Sequence, residues 1–289
     1  MDFGLSDEQV MLQETIRTFV SNECPTTRLR ELFDEGRGHD PVLWSALSQM
    51  GIAGLVVAEE HGGIGMELLD LALVAEVLGE AALPGPFLGH WLATLGVGLA
   101  ASDAQRARIL PWLASGEKIA TFAFQECEQS WATDDWTLRA REDRLSGTKH
   151  VVMHASQADF FLVGLEAGKL AWVDARAEGV NISSVNGIDR TRPLSTVEFD
   201  DVAVEILHGD SKDADRLLAY ASVLLAADAF GAASKLIDLD VAYAQSREQF
   251  GQPIGQFQAV KHAIARLGTE IEPTRALWWH AAYAQDHLP

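Results

Sequence analysis

Two cysteines in 289 residues, Cys24 and Cys127, are too few and too far apart for a disulfide framework. The first residues, MDFGLSDEQV, are acidic and carry no basic-then-apolar leader. Both thiols are therefore expected to be reduced, and the protein cytoplasmic. Basic residues are scarce: 22 Lys and Arg stand against 42 Asp and Glu, a net charge of −20. That balance argues against nucleic acid and anionic membrane surfaces as partners. It leaves room for a small anionic ligand, which needs only a few local cations and backbone donors. No apolar run reads as long and charge-free enough to span a bilayer. The nine histidines are scattered without metal-ligand spacing, so no metal is expected.

What is abundant is apolar residue, 48% of the chain, enough for a sizeable core. The chain opens in helical grammar. SDEQVMLQETIRTFVSNEC pairs Ser6 with Gln9 as a capping box, and Val10, Leu12 (of VMLQ, Met11 and Leu12), Ile16, Phe19 and Val20 follow at helical spacing. DPVLWSALSQMG places Asp40 as cap, Pro41 at the first helical position and Gly51 beyond the end. From Ile119 the texture changes to short alternating runs split by Gly, Asp and Ser: KIATFAFQE, DRLSGTKHVVMHA, ADFFLVGL, KLAWVDA and STVEFDDVAVEI. These predict strands of a small antiparallel sheet or barrel. Helix returns over Asp213 to Tyr243 and again from Gln256 to about His287. The order helices, strands, helices predicts an α+β fold with an N-terminal helical domain (1–118), a middle β-domain (119–208) and a partial C-terminal helical bundle (209–289).

The segment GVGLAA, Gly96–Ala101, fits a dinucleotide fingerprint, but HWLATL before it reads as helix, and the fingerprint needs a strand there. A more informative stretch is SREQFGQPIGQFQAVKHAIARL, Ser246–Leu267. Gly251, Pro253 and Gly255 crowd a break between two helical runs, and each opposes helix. Taken alone, Arg247, Phe250 and Gln258 around it read as a helix–turn–helix with a surface arginine.

The whole chain, however, resembles the acyl-CoA dehydrogenase family. YAQSREQFGQPIGQFQAVKHAIARL is similar to its C-terminal-domain signature. FGLSDEQVMLQETIRTFV and GIAGLVVAEEHGGIGMELLDLALVAEVLGEAALPGP resemble its N-terminal helical domain, and LSGTKHVVMHASQADFFLV with TRPLSTVEFDDVAV its β-domain. The resemblance implies FAD as cofactor, an acyl-CoA substrate, an electron-transfer flavoprotein or similar acceptor, and a homo- or hetero-oligomer in which a neighbouring subunit completes the flavin site. It further implies that Arg247 pairs with the FAD pyrophosphate across the interface, Arg offering a fork of donors. Gln258 would bond the ribose or phosphate region, and Phe250 would pack on the cofactor. The loop EEHGGIGM corresponds to one beside the acyl pocket, so Gly62 and Gly63 are candidate substrate contacts, or the glycines of a simple turn.

The chain departs from the family pattern at several points. FQECEQSW stands where a T-E-P then G-S-D segment is usual: Gln125 could bond the flavin's pyrimidine edge and Ser130 the thioester arm. The usual flavin-facing aromatic and threonine correspond to Val151 and Met153, either a differently poised flavin or a decayed site. The base that most members carry near the C-terminus would fall beyond Pro289, with the last two bundle helices, so the chain reads as a short member. Apolar faces including Leu224, Leu225 and Ile237 would then need cover. The carboxylate mapped onto the alternative base position is Asp215, followed by Arg216, which would close the site or stabilise the helix start; Asp213 and Asp215 read equally as helix caps. The expected reaction is α,β-dehydrogenation of an acyl-CoA to a trans-2-enoyl-CoA, by this chain or by a hetero-oligomer containing it. The alternatives are a non-catalytic partner subunit and a flavin-dependent oxygenase.

Overall fold

The computed structural model describes residues 4–127 and 131–288. Its helices are α1 (Asp7–Glu23), α2 (Thr26–Glu35), α3 (Pro41–Gln49), α4 (Leu68–Glu80), α5 (Phe87–Ala100), α6 (Asp103–Ala114), α7 (Ser211–Ser246), α8 (Gln258–Ile271) and α9 (Thr274–His287). Its strands are β1 (Ala120–Ala123), β2 (Ala140–Arg141), β3 (Arg144–Met153), β4 (Phe160–Gly164), β5 (Leu170–Asp174), β6 (Val180–Val185), β7 (Leu194–Ala203), β8 (Glu205–Ile206), β9 (Glu248–Gln249) and β10 (Gln252–Pro253). Helices, a β region and helices follow in the expected order, an α+β fold. Contacts divide the chain into two compact units. One gathers the chain up to Pro25, Leu68–Leu83 and the chain from Val223; the other holds Thr26–Glu67 and Pro84–Ser222.

In the first unit the capping box of α1 forms as the sequence predicts: Ser6 Oγ accepts from the Gln9 backbone, and the Gln9 side chain accepts from Ser6 N–H. Gln13, buried on α1, donates to the Leu73 carbonyl (3.1 Å) and to Glu76 (2.6 Å) on α4. Burial raises the Glu76 pKa above the usual carboxylate range. The α4–α7 crossing is made by glycine. A Cβ on Gly79 would overlap the Asp228 carbonyl, and one on Gly231 the Glu76 carbonyl. Arg275 of α9 lies 4.6 Å over the Phe230 ring, and Phe230 packs on Trp278.

In the second unit the β region forms two four-stranded sheets, ordered β1-β4-β5-β8 and β2-β3-β7-β6. Pairing is antiparallel except between β1 and β4, which run parallel. Phe161, Val163, Val173, Val197, Phe199 and Val202 are buried in one apolar cluster, with Phe161 and Phe199 edge-to-face at 6.2 Å. Asp40 caps α3, accepting from Val42 N–H, with Pro41 at its first position. GVGLAA lies at the end of α5, where Gly96 packs on Leu162 and Leu217, so it is a packing helix and not a dinucleotide turn.

Three expectations need correction. β6 was not foreseen. It pairs with β7 at a sheet edge, and four of its six positions are exposed; Val180 and Ile182 alternate inward onto the core, but Ser183, Ser184 and Val185 break the pattern after only one full repeat. Leu224 needs no cover from outside the chain: it is fully buried, whereas Leu225 is 44% exposed. Among the described residues one helix, α7, is long and apolar enough to cross a membrane. It holds an 18-residue window of mean hydropathy 1.6, of which 44% is buried.

Candidate active site

The interrupted helix resolves into a hairpin. Arg247 N–H closes α7 onto the Tyr243 carbonyl, β9 and β10 pair antiparallel, and Ile254 N–H returns to the Arg247 carbonyl. The two turn residues are Phe250 (φ 55°) and Gly251 (φ 80°). Positive φ at both central positions is what a type I′ hairpin turn demands. Gly251 meets that at no steric cost, but Phe250 does not. A bulky residue in this region is an outlier that points to a use for its placement. Phe250 is 93% exposed, its ring perpendicular to that of Phe257 at 6.1 Å. Phe257 then starts α8 without any side-chain cap, leaving first-turn N–H groups open. Arg247 and Gln258 are both exposed beside it.

In the other unit, β1 runs into the segment Phe124–Cys127, which is held by a buried lysine. Lys149, with no exposed surface, donates to the Phe124 carbonyl (3.0 Å) and to Glu126 Oε1 (2.6 Å). Glu126 also accepts from Thr137 N–H (2.9 Å), Thr137 Oγ1 (2.6 Å) and Leu138 N–H (3.0 Å). Burial pushes the Lys149 pKa down to about 8, opposed by Glu126. For Glu126, burial works upward, but the bonds from Lys149, Thr137 and Leu138 hold it below its ordinary value. Between these two anchors lies Gln125, buried, its carbonyl accepting from His150 N–H at 2.7 Å. The sequence reading found Gln125 and missed the clamp. The signal was available: Leu145, Gly147 and Lys149 alternate on the inward side of β3, an unusual place for a lysine.

Val151 sits at a register shift between β3 and β7, with φ 55° and 47% of its surface exposed. A β-branched residue in left-handed backbone is a strained position, and bulges of this kind collect beside functional sites. Met153 is half-buried, and its carbonyl accepts from Thr121 Oγ1 at 2.8 Å. Ser130 lies outside the described residues.

Asp215 is not a cap. Asp210, just ahead of α7, accepts from Lys212 N–H, and Asp213 reaches back to Asp210 N–H. Asp215 lies in the next turn and accepts the Thr133 hydroxyl at 2.5 Å. The Arg216 guanidinium lies 5.4 Å over the Tyr220 ring. In the EEHGGIGM loop, Gly62 is left-handed (φ 84°), and a Cβ on Gly63 would overlap the Val57 carbonyl. These glycines shape the turn. It is their neighbours Glu60 and His61 that line a cavity of about 660 Å3 together with α5, α6 and Tyr220.

Helices, a β region and helices in this order are the fold of solved acyl-CoA dehydrogenase neighbours. Residues 6–117 match the family model "Acyl-CoA dehydrogenase, N-terminal domain" and residues 212–289 match "Acyl-CoA dehydrogenase, C-terminal domain". The acyl-CoA dehydrogenase IpdE2 of Mycolicibacterium smegmatis is 34% identical over 94% of this chain and 76% of its own length. Among solved structures, the Tcur3481–Tcur3483 steroid ACAD variant superposes with a TM-score of 0.89 at 29% identity, covering 98% of this chain and 79% of that one. The ChsE4–ChsE5 complex from Mycobacterium tuberculosis does so with a TM-score of 0.90 at 25% identity, covering 100% and 80%. This chain belongs to the acyl-CoA dehydrogenase family, whose cofactor is FAD.

Proposed function

We propose that this chain is a subunit of an FAD-dependent acyl-CoA dehydrogenase that converts an acyl-CoA to its trans-2-enoyl-CoA. It would act in an oligomer with itself or a related chain, in the cytoplasm, and pass electrons to an electron-transfer flavoprotein or similar acceptor. The observation that carries the reading is Phe250: an almost fully exposed aromatic in strained backbone, next to Arg247 and an uncapped helix start. Those residues fit the phosphate-bearing end of a dinucleotide. Arg247 and the open N–H groups of α8 would take the pyrophosphate, Gln258 the ribose or phosphate region, and Phe250 the apolar contact.

FAD, when bound, supplies the two-electron acceptor for the hydride that leaves the substrate β-carbon. On the β side, Gln125 would bond its pyrimidine edge, and Val151 and Met153 would face its ring. The Lys149–Glu126 clamp would hold Gln125 in place. Ser130 would touch the acyl-thioester arm, and Gly62 and Gly63 would lie beside the acyl pocket. Asp215 would accept the α-proton, with Arg216 beside it. A second reading, a partner subunit that leaves proton abstraction to a related chain, has its own support. The Asp215 carboxylate already accepts a short bond from Thr133, and two similar structures are described by paired chain names.

Arg247→Ala tests the carrying observation. It removes a charge-assisted pair of about 1.5–3 kcal/mol, so FAD retained after dialysis should fall roughly ten- to a hundred-fold in affinity with the melting temperature unchanged. Full retention would remove Arg247 from the site.

A further inference from the structure

Thr133 is buried, 5% exposed, yet its hydroxyl serves a side chain on another element. Its Oγ1 donates to Asp215 Oδ1 at 2.5 Å, the spacing of a hydroxyl given to a carboxylate (about 2.5–2.7 Å). Neither element needs that bond for its own backbone. The turn at Thr133–Asp135 is closed by Asp135 N–H on the Ala132 carbonyl and Trp136 N–H on the Thr133 carbonyl, and Asp135 Oδ2 accepts from Ala132 N–H. Trp136, 1% exposed, anchors the turn against Gly164 and the rings of Phe122 and Phe124. The start of α7 is held by Asp210 and Asp213.

The bond therefore acts on the Asp215 side chain itself. An exposed aspartate in a helix turn otherwise exchanges among staggered rotamers. Here one oxygen is tied to a donor on a braced turn, while Oδ2 takes no hydrogen bond among the described residues. We propose that Thr133 is a positioning residue: its hydroxyl fixes the Asp215 carboxylate so that Oδ2 is presented for the substrate α-proton. The inference rests on the acyl-CoA dehydrogenase reading, with Asp215 as the base. In that step the substrate Cα–H bond breaks and the proton bonds to Oδ2. The electron pair left behind becomes the Cα=Cβ bond as the β-hydride departs to FAD. Oδ1 keeps its bond to Thr133 throughout, so the base holds its place while it is protonated.

The test is stopped-flow anaerobic flavin reduction by acyl-CoA, on the full chain with any subunit that co-purifies. Wild type is compared with Thr133→Val, which keeps the shape without the hydroxyl, Thr133→Ser, which keeps the hydroxyl, and Asp215→Asn. Thr133→Val should lower the limiting rate roughly ten- to a hundred-fold, the scale of an ångström's misplacement, with half-saturating acyl-CoA, FAD content and melting unchanged. Thr133→Ser should recover most of the loss. Added to Asp215→Asn, Thr133→Val should slow reduction no further, since residues acting as one unit are not additive. Where valine fails to fold, Thr133→Ala replaces it against the same serine control. A wild-type rate in Thr133→Val, with Asp215→Asn slow, overturns the positioning role and leaves the base in place. A rate lost equally in Thr133→Ser, or a raised half-saturation at full limiting rate, also overturns it, the first as packing and the second as a substrate contact. Full reduction in Asp215→Asn overturns the base and the role of Thr133 with it. Flavin that the wild type itself never reduces overturns the dehydrogenase reading beneath both.

Discussion

Lys149 is the residue on which the β side of the site depends most. It has no surface in contact with water, and its ammonium is bonded to one carbonyl and one carboxylate. Removing one member of a buried pair leaves the other uncompensated, at a cost of roughly 3–5 kcal/mol. Glu126 keeps a little solvent contact, so Lys149→Met should cost about 3 kcal/mol in urea unfolding at neutral pH. The pH dependence has a definite sign. The folded pKa of about 8 lies below the unfolded value near 10.5, so the unfolded chain binds more protons between them. Wild-type stability should therefore gain on the variant as pH rises from 8 to about 10, and parallel curves would refute the buried charge. Asp215 is judged differently, because its bond to Thr133 survives as a hydrogen bond when the carboxylate becomes an amide. If Asp215 is the base, Asp215→Asn should cut flavin reduction by acyl-CoA by orders of magnitude without changing the melting temperature. An unchanged rate would transfer proton abstraction to a partner chain. The sequence showed the break in helix propensity at Gly251, Pro253 and Gly255 directly, but it singled out Arg247, Phe250 and Gln258 only through the family resemblance. The inward place of Lys149 on β3 was legible, but its partner Glu126 was not, because that pairing spans 23 positions and is set by sheet register.

At the scale of elements, the helix starts were the most legible feature. Ser6 with Gln9 and Asp40 with Pro41 act through bonds three residues apart or fewer, which a sequence displays directly. The edge strand β6 carried only a short alternation, Val180 and Ile182 inward, and the choice of Asp213 and Asp215 as caps overlooked Asp210, where the chain actually turns into α7. The α4–α7 crossing was also hidden, since Gly79 and Gly231 are unremarkable glycines until the two backbones are seen to touch. Gly231→Ala places a methyl group against the Glu76 carbonyl oxygen. Overpacking usually costs about 1–3 kcal/mol, and here the neighbour is backbone and cannot rotate away. Denaturation should show a loss at the upper end of that range, even though alanine is the better helix former by about 1 kcal/mol. A gain in stability would mean that α4 and α7 do not approach as closely as described.

At the scale of the molecule, α7 runs from Ser211 to Ser246 and carries Asp215 in its second turn. Its later half leaves Leu236 and Leu239 more than half exposed, and Leu277 of α9 is 69% exposed. Apolar surface of this kind on helices is what a subunit interface covers. The central claim is that this chain, in the oligomer it forms, holds FAD and reduces it with electrons from an acyl thioester. The direct measurement is an anaerobic titration of the purified full-length chain, with any subunit that co-purifies, by an acyl-CoA while the visible flavin band is followed. The account predicts a bound-flavin spectrum that bleaches on addition of acyl-CoA and recovers with an electron acceptor. A preparation that binds no flavin, or whose flavin stays oxidised with every acyl-CoA tried, would contradict it.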